Sequence, residues 1–104
     1  MPDFDVIVIG AGPAGEVLAG RTAAAGLSTA IVEKRLVGGE CGFYACMPSN
    51  AVLHPGEVRR VPPARETAEG QLAVQAVLDN RDSIISHLDD SSQVPWLDDN
   101  NISL

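Results

Sequence analysis

The sequence is poor in aromatic residues, in positive charge and in cysteine. Phe4, Phe43, Tyr44 and Trp96 are the only aromatics in 104 residues, so aliphatic side chains must fill whatever core forms. Seven basic residues against fourteen acidic ones leave a net charge of −7, which excludes a nucleic-acid binder or a basic membrane-surface protein. No apolar run approaches the roughly 20 residues of a membrane span. The opening Met-Pro-Asp-Phe-Asp lacks the basic start of a signal peptide, and a cytoplasmic location is expected. Only two cysteines occur, Cys41 and Cys46, too few for a disulfide scaffold and close enough to read as a pair. The length allows one domain at most, burying about two-thirds of its unfolded surface.

Glycine is plentiful and unevenly placed. Eight of the ten glycines fall between residues 10 and 42 (10, 12, 15, 20, 26, 38, 39 and 42), so the first half carries the informative patterns. Residues 4–9, Phe-Asp-Val-Ile-Val-Ile, read as a buried parallel strand. Gly10-Ala-Gly-Pro-Ala-Gly15 ends it. An alanine-rich helix follows from Pro13 to Ala25, with Val17, Leu18, Arg21 and Thr22 at helical spacing and Gly26 as its stop. Ser28–Glu33 reads as a second strand. Residues 1–33 therefore form a βαβ unit.

Beyond it, residues 34–40 read as a loop. Residues 38–54 hold the cysteines on a helix from about Cys41 to His54, with Pro48 inside and Pro55 ending it, because the residue before a proline avoids helical geometry. Residues 55–70 read as a connector rich in proline and glycine, and Arg59, Arg60 and Arg65 in it as a solvated face. Val74, Val77, Leu78, Ile84, Ile85 and Leu88 mark an amphipathic helix over 71–88, which also carries His87. Asp89 to Asn101 reads as a polar, acidic tail in which Trp96 packs. Asn101-Ile-Ser-Leu104 suits the first half of a third strand.

Gly10-x-Gly12-x-x-Gly15 is weak alone. It gains weight by following a strand, opening a helix, and having Glu33 at the end of the next strand. Gly10 permits the tight turn, Gly12 lets a pyrophosphate approach the backbone, and Gly15 lets helix and strand pack closely. The helix N-terminus favours the anion, and Glu33 accepts ribose hydroxyls. The bland alternative is a plain strand-to-helix turn with Glu33 on the surface. The fingerprint alone does not choose NAD over FAD.

In Gly38-Gly-Glu-Cys41-Gly-Phe-Tyr-Ala-Cys46-Met-Pro-Ser-Asn50, four residues separate the cysteines. Residues five apart on a regular helix diverge, so a bond between them needs an irregular turn, which Pro48 and Gly42 favour. A thiol near a helix N-terminus has a lowered pKa. Two inert cysteines, or half a zinc site, are the alternatives; His54 and His87 do not complete a zinc-ligand spacing, and no metal site is expected.

The fingerprint, Glu33 and Gly-Gly-x-Cys-x₄-Cys-x-Pro-Ser together resemble the N-terminal segment of the flavin-dependent pyridine nucleotide–disulfide oxidoreductases, nearest their dihydrolipoamide dehydrogenase and mercuric reductase-like branch. His87-Leu-Asp-Asp and Gln93-Val-Pro-Trp-Leu resemble that branch too. The resemblance implies an α/β fold: a Rossmann-like FAD-binding βαβ unit, then a redox-disulfide helix and a further amphipathic helix. Residues 1–104 would be the N-terminal part of an incomplete FAD domain. It implies FAD as cofactor, with Gly10, Gly12, Pro13, Ala14, Gly15, Glu33, Lys34 and Gly39 as cofactor-binding residues. Cys41 and Cys46 would be the catalytic pair, Cys46 on the flavin side and Cys41 exchanging with substrate. In such enzymes NAD(P)H reduces the flavin and the flavin reduces the disulfide, which passes electrons to an acceptor such as lipoamide.

Asn50 departs from the family's usual lysine. The 104 residues also hold no second glycine fingerprint and no catalytic His–Glu pair. NAD(P)H and the disulfide substrate would therefore act through domains beyond these residues. The chain alone is expected to be inactive and, with apolar surface exposed, to self-associate. The alternative is a non-catalytic nucleotide-binding fragment arising by gene truncation or by design.

Overall fold

Three short parallel strands meet in the order β1-β2-β3: β1 (Val6–Ile9), β2 (Thr29–Val32) and β3 (Ile102–Ser103). The structure, a computed structural model, describes residues 2–58 and 73–104. Val6 pairs with Thr29 and Ile9 with Val32 across β1 and β2; Thr29 pairs with Ile102 across β2 and β3. The mixed α/β architecture with a parallel sheet agrees with a Rossmann-like unit, and residues 101–104 do supply a third strand.

β1 and β2 are shorter than the spans expected from the sequence, and Asp5 and Ser28 form a clamp at their starts. The Asp5 carboxylate accepts from the Ser28 N–H (2.9 Å) and hydroxyl (2.8 Å), while the Asp5 N–H donates to Ser28. These bonds hold the Asp5 carboxyl below the usual carboxylate range. Glu33, bonded to the backbone N–H groups of Ala11 and Arg35, is shifted the same way. A carboxylate with a depressed folded pKa adds stability above its unfolded pKa and loses it as the pH falls through the folded value. The urea midpoint should therefore stay level from pH 7 to 5 and drop below about pH 4. Asp5→Asn should flatten that drop; an equal drop in the variant would remove Asp5 from the explanation.

α1 (Pro13–Ala24) crosses one face of the sheet. Gly26 (φ +86°) ends it, with the Leu27 N–H returning to the Thr22 carbonyl. The buried face of α1 is not the one its larger apolar residues suggest. Ala19 is fully buried, whereas Val17 and Leu18 are exposed. The reason is proximity. A Cβ at Gly15 would collide with the Gly10 carbonyl oxygen and lie 3.0 Å from its carbon, so helix and strand sit too close for more than small side chains. Ala11, Ala19, Val8, Ile31, Val37, Leu97 and Ile102 form the core. On the other sheet face the β1 side chains are exposed, Ile9 by 89% and Ile7 by 59%.

The continuous helix expected over 41–54 is two helices. α2 (Gly39–Phe43) breaks at Tyr44 and Ala45 before α3 (Cys46–Val58) begins. Pro48 falls in the first turn of α3, where an absent N–H costs nothing. Pro55 does not end the helix; it lies inside α3, which runs on to Val58. An interior proline costs about 3 kcal/mol, and α3 packs against α4 (Val74–Ile84). The remainder of the expected connector, 59–70, lies outside the described residues, as do Gln71 and Leu72.

The helix expected to reach Leu88 stops at Ile84. Ser86–Leu88 then forms a single 3₁₀ turn with left-handed φ (52°, 52° and 64°), so His87 sits exposed on that turn and not on the amphipathic helix. L-residues pay about 1–2 kcal/mol each for this conformation. The turn redirects the chain so that the Asp90 carboxylate takes the Val37 N–H at 2.6 Å.

The acidic tail contains a helix the sequence reading missed, α5 (Val94–Asp99). Its Leu97 is fully buried, and the Trp96 ring lies over Gly20. Asn100 closes it by donating from Nδ2 to the Trp96 carbonyl (2.8 Å), and the chain enters β3. No helix among the described residues is long and apolar enough to cross a membrane.

Candidate functional site

The glycine turn places three glycines in three different situations. Gly10 has φ +103°, which only glycine adopts without strain. Gly15 is the close contact described above. At Gly12 an added Cβ would meet nothing within 4 Å, so the backbone there faces open space. Gly12 also caps α1, and the Glu16 N–H is the first to bond inward, to the Gly12 carbonyl (2.9 Å). Pro13 has no N–H, which leaves those of Ala14 and Gly15 without intrahelical acceptors at a helix N-terminus.

Glu33 reaches back to this turn. Its Oε2 accepts from the Ala11 N–H (2.9 Å) and its Oε1 from the Arg35 N–H (3.0 Å). Those bonds, with a smaller contribution from Lys34, hold its carboxyl below the ordinary range and keep it anionic. Each oxygen retains a lone pair for a ligand hydroxyl. The 34–38 loop is tied down beside it by a bond from the Gly38 N–H to the Ala11 carbonyl (2.7 Å). A Cβ at Gly39 would lie 2.6 Å from the Gly12 Cα, so this position requires glycine for close approach as well as for its φ of +70°.

A cleft of about 320 Å³ opens here, lined by Gly12, Glu33, Lys34 and Gly39 together with Arg35 and Tyr44. Four of the eight expected cofactor-binding residues thus share one cleft. Gly10 and Gly15 act beneath it through backbone packing, Ala14 is exposed at the helix start, and Pro13 lines the neighbouring cavity. Arg35 and Tyr44, and Leu36 and Glu40 which also line the cleft, were not anticipated; nothing in their spacing marks them. The open backbone at Gly12, the N–H groups of the first α1 turn and an anionic Glu33 fit a dinucleotide.

The cysteines meet at the α2–α3 break. The Tyr44 and Ala45 N–H groups both bond to the Glu40 carbonyl (2.8 and 2.7 Å). The second of these is an i→i−5 bond, so the turn is widened. On a regular helix residues 41 and 46 would point about 140° apart. Here the widened turn brings the two free cysteines near enough for Cys46 to perturb the Cys41 thiol. The helix is thus irregular between them. The lowered pKa expected from a helix N-terminus does not hold for Cys41. Its bond to the Cys46 thiol, then desolvation and the charge of that neighbour, push it up. A five-residue helix has too weak a dipole to outweigh them.

The sequence matches the family model described as pyridine nucleotide-disulphide oxidoreductase over residues 4–98. The chain belongs to this family. The pyridine nucleotide-disulphide oxidoreductases are FAD-dependent flavoproteins, so the first fingerprint is read for FAD and not for NAD. Curated relatives include a dihydrolipoyl dehydrogenase of Mycobacterium leprae, 48% identical over 61 residues, 59% of this chain and 13% of the relative. One of Chlamydia trachomatis is 54% identical over 55 residues (53% and 12%), and one of Bacillus subtilis 47% over 64 residues (62% and 13%). The matched stretch is thus about an eighth of the length of these oxidoreductases.

Proposed function

We propose that residues 1–104 form the N-terminal part of an FAD-binding domain in a cytoplasmic flavin-dependent disulfide reductase. Its electrons would come from NAD(P)H and leave through Cys41 and Cys46 to a disulfide acceptor such as lipoamide. The observation that carries this reading is the coupling of the two motifs: the loop leading to the cysteines is bonded to the glycine turn through Gly38 and Ala11, with Gly39 against Gly12. The dihydrolipoyl dehydrogenase relatives support the lipoamide acceptor.

The N–H groups of Ala14 and Gly15 and the open face of Gly12 bind the pyrophosphate. Glu33 takes ribose hydroxyls on its remaining lone pairs, and Lys34 and Gly39 complete the wall. FAD, when bound, supplies the two-electron couple between NAD(P)H and the thiols. Cys46 would be the thiol that takes up electrons from the flavin. Cys41, as thiolate, attacks one sulfur of the acceptor disulfide; that S–S bond breaks and its other half leaves, taking a proton. Cys46 then attacks the Cys41 sulfur, releasing the second thiol and closing the Cys41–Cys46 disulfide. The acceptor gains two electrons and two protons, and the cysteines lose them.

The open sheet face at Ile7 and Ile9 supports self-association of the isolated chain, because parallel sheets are ordinarily covered on both faces. The cofactor assignment is tested by titrating FAD, NADH and AMP against the purified chain. Weak FAD binding, with AMP competing, is expected. Tight NADH binding without FAD or AMP binding would overturn it.

A further inference from the structure

A second cavity of about 320 Å³ adjoins the cleft. Pro13 and Glu16 of α1, Cys41 and Phe43 of α2, and Met47 of α3 line it, with Ile84 and Ile85 closing the far side. The rest of its wall is glycine, serine and glutamine. Among the described residues lining it, Glu16 carries the only formal charge, and Glu16 and Cys41 are its only titratable groups. Cys46, which contacts Cys41 from the start of α3, adds a third nearby.

The geometry points to Glu16 as a specificity-determining residue: its carboxylate sets the charge of the disulfides that reach Cys41, admitting cationic ones and turning away anionic ones. This rests on the reading of Cys41 as the exchanging thiol. No cationic side chain shares this cavity with Glu16 among the described residues; Arg21, further along α1, lines the pocket on its other side, and Glu40, next to Cys41, lines the adjoining cleft. A carboxylate facing Cys41 acts on every charged molecule that enters. Partial burial raises the Glu16 carboxyl above its usual range. The selectivity should therefore fade at a higher pH than an exposed carboxylate would allow.

The test uses the full 104-residue chain carrying Cys46→Ser, so that Cys41 is its sole thiol. Its rates of mixed-disulfide formation with cystamine (cationic) and 3,3′-dithiodipropionate (anionic) are followed by mass spectrometry at pH 8. In each case the Cys41 thiolate attacks one sulfur, the reagent S–S bond breaks, and cysteamine or 3-mercaptopropionate leaves. Cystamine is expected to react about tenfold faster, a bias of the size that one nearby charge gives two oppositely charged reagents. Glu16→Gln should shrink the ratio at least about threefold and make it insensitive to acid pH, and Glu16→Lys should reverse it; a misfolded chain would not reverse a preference. A ratio unchanged in both variants would overturn the role of Glu16 while leaving the cysteine reading intact. A Cys41 that reacts with neither reagent would overturn the cysteine reading itself.

Discussion

Gly15→Val is expected to abolish cooperative unfolding of the chain and all FAD binding. A Cβ at residue 15 collides with the Gly10 carbonyl oxygen, and both partners are backbone, so no side chain can swing aside. Overpacking costs about 1–3 kcal/mol, occasionally more, against roughly 0.05–0.15 kcal/mol per residue of total stability. Gly15→Ala should already lower the urea midpoint clearly, and the two further methyl groups of valine should complete the loss. Gly12→Ala is the contrasting case. Its Cβ meets nothing within 4 Å, so the midpoint should hold while FAD binding weakens at least about tenfold. If Gly15→Ala proved as stable as the parent, the close helix–strand contact would be wrong.

The second large effect is an absence. The 104 residues alone should show no oxidation of NADH or NADPH with added FAD and lipoamide. They contain no second Gly-x-Gly-x-x-Gly, and among the described residues no histidine lines the Cys41 cavity to protonate the thiol that leaves during exchange. General acid–base assistance of that kind is worth roughly 10²–10⁴-fold. His54 and His87 are both exposed, and neither lines the Cys41 cavity. The assay is run beside Cys41→Ser. Robust oxidation that vanishes in that variant would mean the chain is a complete catalyst.

The parts legible in the sequence are those where chemistry forces the residue. Gly10 answers to positive φ and Gly15 to a close approach, and the strand runs are where they were expected, although Ile7, Ile9 and Val32 are exposed and not buried. Glu33 was placed by spacing, but its bonds to Ala11 and Arg35 depend on how the 34–38 loop folds back, which spacing does not encode. The α2–α3 break was half-legible: Pro48 and Gly42 suggested irregularity, while the shared Glu40 carbonyl that widens the turn leaves no composition signal. Helix α5 was hidden because Asp98 and Asp99 dominate its short sequence, and burial of Leu97 decides the matter. The left-handed turn at Ser86–Leu88 was unreadable in principle, since L-residues avoid that region unless tertiary contacts impose it. Glu16 was passed over because its importance comes only from facing the Cys41 cavity.

The most direct test of the central claim is to count alkylatable thiols in the tryptic peptide Leu36–Arg59, which contains both cysteines. The chain is equilibrated in air and then in a graded series of dithiothreitol redox buffers. A two-electron transition is expected: neither thiol free after air oxidation, an intrachain bond lowering the peptide mass by two hydrogens, and both thiols recovered together under mild reduction. Two freely alkylated thiols after full air oxidation would contradict the account.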